Sequence, residues 1–464
     1  MKTSFPVTKA VIARAIFSLC SCLLAPCTTA SSEEWRLIYT VTQEESKIPA
    51  RAGPSEERVR SFTRLVILGR EHLVVEDDER KTVYDFRHKR WQHLQRDKNV
   101  YDDLSLYWIV GFRVSELRNR YYLDAISDSL STESPLSPFG RFDSETVLAL
   151  ELPQDARQPE PMIERVSQDR DGLEFRHDGQ SVVRFVPATT QLPEPFYRRF
   201  VNFLAYECHL HPRIRRQMID AGQIPRQLVL RSRELPNSTT TSYVLHSVEQ
   251  SESDSTAMPG EARSAEHADD PLFRVLSLAR DKGRSTRRLA REDAARYARQ
   301  AVADKRHLDG YLALVEYVTQ SSERLDDEFK RHRRKFERDS LVQRYQAGGD
   351  QSTPEACQKR LGALESIDRS NLEKTHMLDL DRANLLAKLG QSESAEELFL
   401  KVLEANPFHS GAYHDLNVLY YNTYEHWKTW LCFDTGRQLY PEHILLQEVT
   451  EMEQRFLRDF PDFF

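Results

Sequence analysis

Pro407 and Pro441 stand 34 residues apart, and so do Phe399 and Phe433, and Leu386 and Tyr420. Three pairs at one offset mean that a single supersecondary unit is written twice across His376–His443. A unit of this length with apolar residues at helical spacing is a pair of antiparallel helices. One such pair cannot bury its apolar face alone, so neighbours must stack on it.

In the first copy, His376–His409, Leu386 packs the first helix. Gly390 falls at the inter-helix turn, where a left-handed backbone is cheap for glycine. Ala395 lets the second helix cross the first closely, Phe399 fills the groove beyond, and Pro407 opens the next unit. The second copy, Ser410–His443, offers Tyr413, Leu416, Tyr420, Phe433 and Pro441. It has Asn417 in place of a first-helix glycine, Tyr424 in place of the turn glycine and Thr429 in place of the small alanine. The pattern resembles a tetratricopeptide repeat, departing from it at Asp379, where a large residue is usual, and at Arg382-Ala383, where a Leu-Gly pair is usual. The resemblance implies a concave surface built from the first helix of each unit. Transferred position by position, Asn384, Lys388, His414, Tyr421 and Asn422 would line it and hold a protein or peptide segment. Helical pairs from residue 286 onward are expected to stack as degenerate units, with Ile444–Arg458 as a capping helix.

The N-terminus reads differently. Lys2, Lys9 and Arg14 precede the apolar run Ala15–Ala25, and small residues follow at Thr28-Thr29-Ala30. That is the pattern of a secretory signal, and the run is shorter than the roughly 20 apolar residues of a membrane span. We expect a cleaved leader at 1–30 and a periplasmic or secreted protein, with an uncleaved N-terminal membrane anchor as the alternative. Of six cysteines, only Cys208, Cys357 and Cys432 lie beyond the leader, too few and too distant for a disulfide framework.

From Trp35 onward the chain alternates. Trp35, Leu37, Tyr39 and Val41 share one side of a strand. Glu44–Glu57 is polar, with Pro49, Gly53 and Pro54, and reads as a loop. Phe62–Leu68, His72–Glu76, Thr82–Phe86 and Trp91–Gln95 follow as short strands with polar turns, the pattern of an antiparallel meander. Tyr101–Arg120 has helical periodicity. Ser127–Gly140 reads as a loop. Val147–Leu152, Met162–Val166, Leu173–Phe175 and Val182–Phe185 resume the strands. Phe196–Leu210 and Ile214–Ala221 read as helices, and Ile224–Arg233 and Thr240–Glu249 as a closing strand pair. The strand order and the phrase Thr82-Val83-Tyr84-Asp85 resemble the bacterial periplasmic lipoprotein-carrier half-barrel, in which a curved sheet holds acyl chains under a helical lid. The resemblance implies a carrier or sensor of an apolar, lipid-like ligand, and no functional residue transfers with it.

Glu249–Asp270 has almost no apolar side chains and reads as a linker. Beyond it, Ala290–Ala301 and Tyr311–Val318 make a helical pair, Glu323–Tyr345 one charged helix, and Pro354–Ile367 another, capped by Ser352 or Thr353. The expected fold class is α+β: an antiparallel β-sheet domain with covering helices (31–250), a linker (251–270) and an all-α helical-hairpin domain (271–464).

Chemistry is sparsely marked. Cys208 and His211 could share a helical face as zinc ligands do, but no second cluster completes a site, and a core cysteine is the better reading. His409, His414, His426 and His443 follow no ligand spacing. The chain has no Gly-x-Ser-x-Gly, His-Glu-x-x-His or phosphate-loop motif. The basic runs Arg280–Arg299 and Lys330–Arg338 have acidic neighbours and read as solvated helix faces, and the net charge of −7 argues against a nucleic-acid partner. Tyr420, Tyr421, Tyr424, Trp427 and Trp430 are the densest aromatic patch; core packing is slightly favoured over a groove. The expectation is a non-enzymatic, exported binding scaffold with no metal and no small-molecule cofactor, membrane or envelope association remaining open. The apolar-ligand carrier is the first alternative and a cell-envelope hydrolase the second.

Overall fold

A computed structural model describes residues 33–47, 57–97, 100–127, 163–169, 172–177, 180–221, 223–234, 237–252, 255–258, 270–280, 290–347 and 351–464. The expected leader, the Ser127–Gly140 loop apart from Ser127, and the expected strand Val147–Leu152 lie outside the described residues.

The N-terminal part consists of β1 (Glu34–Lys47), β2 (Glu57–Leu68), β3 (His72–Glu76), β4 (Arg80–Asp85), β5 (Arg90–Gln95), β6 (Val100–Ser105), α1 (Tyr107–Ser127), β7 (Ile163–Asp169), β8 (Gly172–His177), β9 (Gln180–Pro187), α2 (Glu194–Tyr206), α3 (Pro212–Ala221), β10 (Pro225–Glu234) and β11 (Asn237–Ser251). Its eleven described strands form one sheet, ordered β6-β5-β4-β3-β2-β1-β11-β10-β9-β8-β7. Every pairing is antiparallel. The first and last strands of the part meet at its centre.

Alternation sets the faces. Leu37, Tyr39 and Val41 of β1, and Arg64, Val66 and Leu68 of β2, are buried on the side that receives the helices. On the opposite side, among the described residues, the buried apolar cluster is small: Ile67, Val74 and Val83, against which Met258 packs. Residues 255–258, inside the expected linker, are tied to this outer side. Ser255 donates from its amide and hydroxyl to the Glu34 carboxylate, and Lys81 donates to the Ala257 carbonyl.

Two strand boundaries differ from expectation. The polar stretch Glu44–Lys47 continues β1, because it is paired with β11 on one side and, as far as Ser46, with β2 on the other. Residues 100–105 form a strand rather than helix, because β5 pairs with them from Gln95↔Val100 to Arg90↔Ser105. The helical period wins only from Tyr107.

The helical part runs α4 (Pro271–Arg280), α5 (Arg291–Ala303), α6 (His307–Ser321), α7 (Asp326–Arg338), α8 (Ser340–Gln346), α9 (Pro354–Glu365), α10 (Thr375–Lys388), α11 (Ser392–Ala405), α12 (Ser410–Asn422), α13 (His426–Leu439) and α14 (Ile444–Asp459), then a 3₁₀ turn at Pro461–Phe463. The expected single helix Glu323–Tyr345 is two. Asp339 is extended, and its carboxylate accepts the Leu341 and Val342 amides at 3.0 Å each, an N-cap that restarts the helix as α8. Thr353 caps α9.

α10–α11 and α12–α13 are the two copies of the repeated unit. Ala395, Phe399, Tyr413, Leu416, Tyr420 and Phe433 are all buried in them. The two parts of the chain share a core. Under the sheet, Phe196, Phe200, Phe203 and Leu204 of α2 are joined by Trp430 and Phe433 of α13, Leu446, Val449 and Phe456 of α14, and Phe460, Phe463 and Phe464. The join is polar as well: Asn202 donates to the Asp462 carbonyl and Tyr206 to the Phe463 carbonyl, both at 2.6 Å.

Candidate functional site

Four of the five residues expected to line the hollow of the hairpins make side-chain contacts within the protein. Asn384 donates to Asp415 at 2.8 Å, and the His414 ring bonds the other oxygen of the same carboxylate at 3.0 Å. Lys388 donates to Gln351 at 3.0 Å. Tyr421 turns toward α1, accepting from the Ser115 hydroxyl at 3.3 Å and lying edge-on to His426 with ring centres 4.8 Å apart. Asn422 is exposed. Next to Asn384, Asp381 is met by Arg360 of α9 at 3.3 Å, and burial pushes its carboxyl up. The five residues thus do not form one open surface. Asn384 and His414 converge on Asp415, while Tyr421 belongs to the join with the sheet part.

The histidines turn out to be builders. His409 and His443, 34 positions apart, both cap helices: His409 Nδ1 accepts the Ala412 amide and His443 Nδ1 the Leu445 amide. With Nδ1 accepting, Nε2 carries the proton, and both reach one residue of α6. His409 Nε2 bonds the Thr319 hydroxyl at 3.0 Å and His443 Nε2 the Thr319 carbonyl at 2.9 Å. Burial holds both rings below the ordinary imidazole range, His409 at about 4, so they stay neutral. Their offset, which equals the repeat period, was the available signal; their shared partner was not readable.

The aromatic patch divides. Tyr420 and Trp430 are core, Trp427 stacks on Phe273 of α4 with centres 6.0 Å apart, and Tyr424 is exposed. His426 lies buried among Phe112, Tyr421, Tyr424 and Trp430.

A pocket remains in the sheet. β1, β2, β4, β9, β10 and β11 contribute to its wall together with the segment that follows α2, which ends at Tyr206. Past that end a space of about 230 Å³ opens toward solvent, walled by Val182, Val183, Leu210 and Leu230 and by Gln43, Arg64, Arg80, Glu207, Cys208, His209, Arg231, Ser232, Thr241 and Tyr243. Its polar groups hold one another. Arg64 donates to Asp77 at 3.0 Å and to the Tyr243 hydroxyl at 3.3 Å. Arg80 donates to Glu207 at 3.1 Å, and Tyr84 donates to the other Glu207 oxygen at 2.8 Å. Burial, reinforced by Glu207, pushes the Cys208 thiol far above its usual range. The Arg113 guanidinium donates to His209 Nδ1 at 3.0 Å, a bond that requires that ring nitrogen to be unprotonated. The wall therefore offers a neutral imidazole and a protonated thiol, fitted for contact rather than attack. No group of three or more metal-ligating side chains exists among the described residues, and His211 accepts the Arg213 amide. Sequence reasoning singled out Cys208 and His211, of which only Cys208 lies in the wall, but not the pocket, which joins positions as distant as Gln43 and Tyr243.

No protein-family model matches the chain, and no curated protein matches it. The fold itself sets the class: an α+β protein with an open antiparallel sheet, helices on one face of it and a helical C-terminal part docked onto the same core. Among the described residues no helix is long and apolar enough to cross a membrane.

Proposed function

We propose that the protein is an exported, non-enzymatic binding protein that carries or senses an amphipathic, lipid-like ligand in the sheet pocket. The observation that supports this most is the pocket past the end of α2, where Val182, Val183, Leu210 and Leu230 share an open space with polar side chains. Its mixed lining suits a ligand with an apolar body and a polar end. A curved sheet roofed by helices is also the arrangement of the lipoprotein-carrier half-barrel that the strand order resembles. A hydrolase finds less support, since the acid, thiol and imidazole of the wall are already committed or held inert.

Leu230→Trp tests the reading by filling the pocket from its apolar side. The wild-type protein is expected to co-purify with, or take up, an acyl-chain ligand visible by native mass spectrometry, and L230W is expected to lose it. A wild-type protein that takes up none refutes the reading.

A scaffold role has one observation in its favour. Val418 and Asn422, one turn apart on α12, stay exposed beside exposed Tyr424. A peptide or protein segment docking there would be displaced by Val418→Glu with Asn422→Lys; binding that survives this double change counts against the face.

A further inference from the structure

We propose that the ligand of the sheet pocket is a single-chain amphiphile with an anionic head, carboxylate or phosphate, held at the rim by Arg60. This rests on the pocket reading and adds the chemistry of the head.

Alternation on β2 places Arg58, Arg60, Phe62 and Arg64 on the same face as buried Val66 and Leu68. The row runs outward from the pocket floor. Arg64 is buried, Phe62 half-buried, and Arg60 and Arg58 are exposed. Gln43, a wall residue, is the direct cross-strand neighbour of Arg60, which places Arg60 at the rim. The Phe62 ring lies between two guanidinium groups, 5.1 Å from that of Arg60 and 4.9 Å from that of Arg64. Phe62 thereby aligns Arg60 with the row.

The arginines differ in availability. Arg64 and Arg80 are fixed to Asp77, Glu207 and Tyr243 inside the wall. Arg60 pairs with Glu79, and both side chains are more than half exposed, 55% and 68%. An ion pair so exposed is weak and readily exchanged for another anion. An acyl chain lying along Val182, Val183, Leu210 and Leu230 would bring its head to this exchangeable guanidinium, which offers a planar, bidentate fork to carboxylate or phosphate. A neutral head would gain nothing from it.

The test uses three probes with one oleoyl chain: oleate, oleoyl lysophosphatidic acid and monoolein, each titrated against the full chain, R60A and L230W. At least one anionic probe is expected to bind the wild type more tightly than monoolein. R60A should weaken that probe about tenfold, the worth of one charge-assisted contact, and leave monoolein unmoved. L230W should weaken all three. Tighter binding of oleate identifies a free fatty acid as the source, and tighter binding of the phosphate probe a lipid headgroup. Monoolein binding as tightly as both anionic probes, or R60A leaving them unchanged, overturns the head assignment while the pocket stands. Binding that survives L230W, or no binding of any probe to the wild type, overturns the pocket reading and this assignment together. Arg60 is exposed, so R60A is expected to melt as the wild type does.

Discussion

Gly390 and Tyr424, 34 positions apart, hold the same left-handed backbone, at φ of 75° and 67°. The turn between the helices of each pair requires that conformation, and in the second copy a tyrosine bears it. A Cβ added at Gly390 meets nothing within 4 Å, so substitution there isolates the backbone cost. Gly390→Ala is expected to lower stability by about 1–2 kcal/mol, the penalty of the left-handed region for a side chain. Urea unfolding measures it, and an unchanged midpoint would contradict a strained turn.

Gly111 of α1 faces Trp430 of α13 so closely that an added Cβ would lie 2.5 Å from the indole. Around it, Phe112 meets His426 edge-on, Ser115 donates to Tyr421, and Asn119 donates to the Tyr424 hydroxyl. This seam joins the helix over the sheet to the second hairpin. Gly111→Ala should cost about 1–3 kcal/mol by overpacking and weaken the tryptophan signal in near-ultraviolet circular dichroism. A variant with full stability and an unaltered signal would show the seam to be looser.

Glu453 of α14 accepts from the Trp430 indole and from Arg437, both at 3.1 Å. Burial pushes its carboxyl up to about 7 despite Arg437, with Asp434 adding to the rise. Above the ordinary carboxylate range of about 4.3 and below 7, the native state holds a proton that the unfolded chain has released. The stability this contributes is complete at low pH and lost as pH rises through 7. Glu453→Gln should leave stability nearly unchanged at about pH 4 and raise it by up to roughly 3 kcal/mol at about pH 8. Denaturation curves at the two pH values check the sign. Arg437 keeps Asp434 at 2.8 Å, so the variant does not strand a charge.

Phe463 packs edge-on to Tyr206 with ring centres 5.0 Å apart, and the Arg215 guanidinium lies 5.3 Å from its ring. Phe463→Ala should cost about 3–5 kcal/mol, as buried phenylalanine truncations do. Because the core crosses the 251–270 boundary, sheet and helices are expected to unfold in one transition monitored by near- and far-ultraviolet dichroism alike. Residues 31–250 expressed alone should expose the aromatic floor left by α13 and α14 and bind a hydrophobic dye. Two well-separated transitions would refute the shared core.

Most elements were legible because their signals are local. Leu37, Tyr39 and Val41 alternate as β1 requires, and Phe196, Phe200, Phe203 and Leu204 keep the helical spacing of α2. Val100–Ser105 was not legible. Its polar residues Asp102 and Asp103 gave no alternation, and β5 supplies the pairing. The expected hollow of the hairpins named real neighbours, Asn384 and His414, but their common partner Asp415 and the covering Arg360 lay beyond local reading.

Periodicity is imposed residue by residue, so the amino-acid order alone settled an antiparallel sheet part, a helical part and a twice-written helix pair. Which surfaces meet depends on contacts between distant positions, and these have no local mark. Only the tertiary structure set Phe463 against Tyr206, Thr319 between His409 and His443, and Arg64 in one wall with Cys208 and Leu230. Beside that wall the fold leaves an open space, while Asn384 and His414 of the hairpins converge on Asp415.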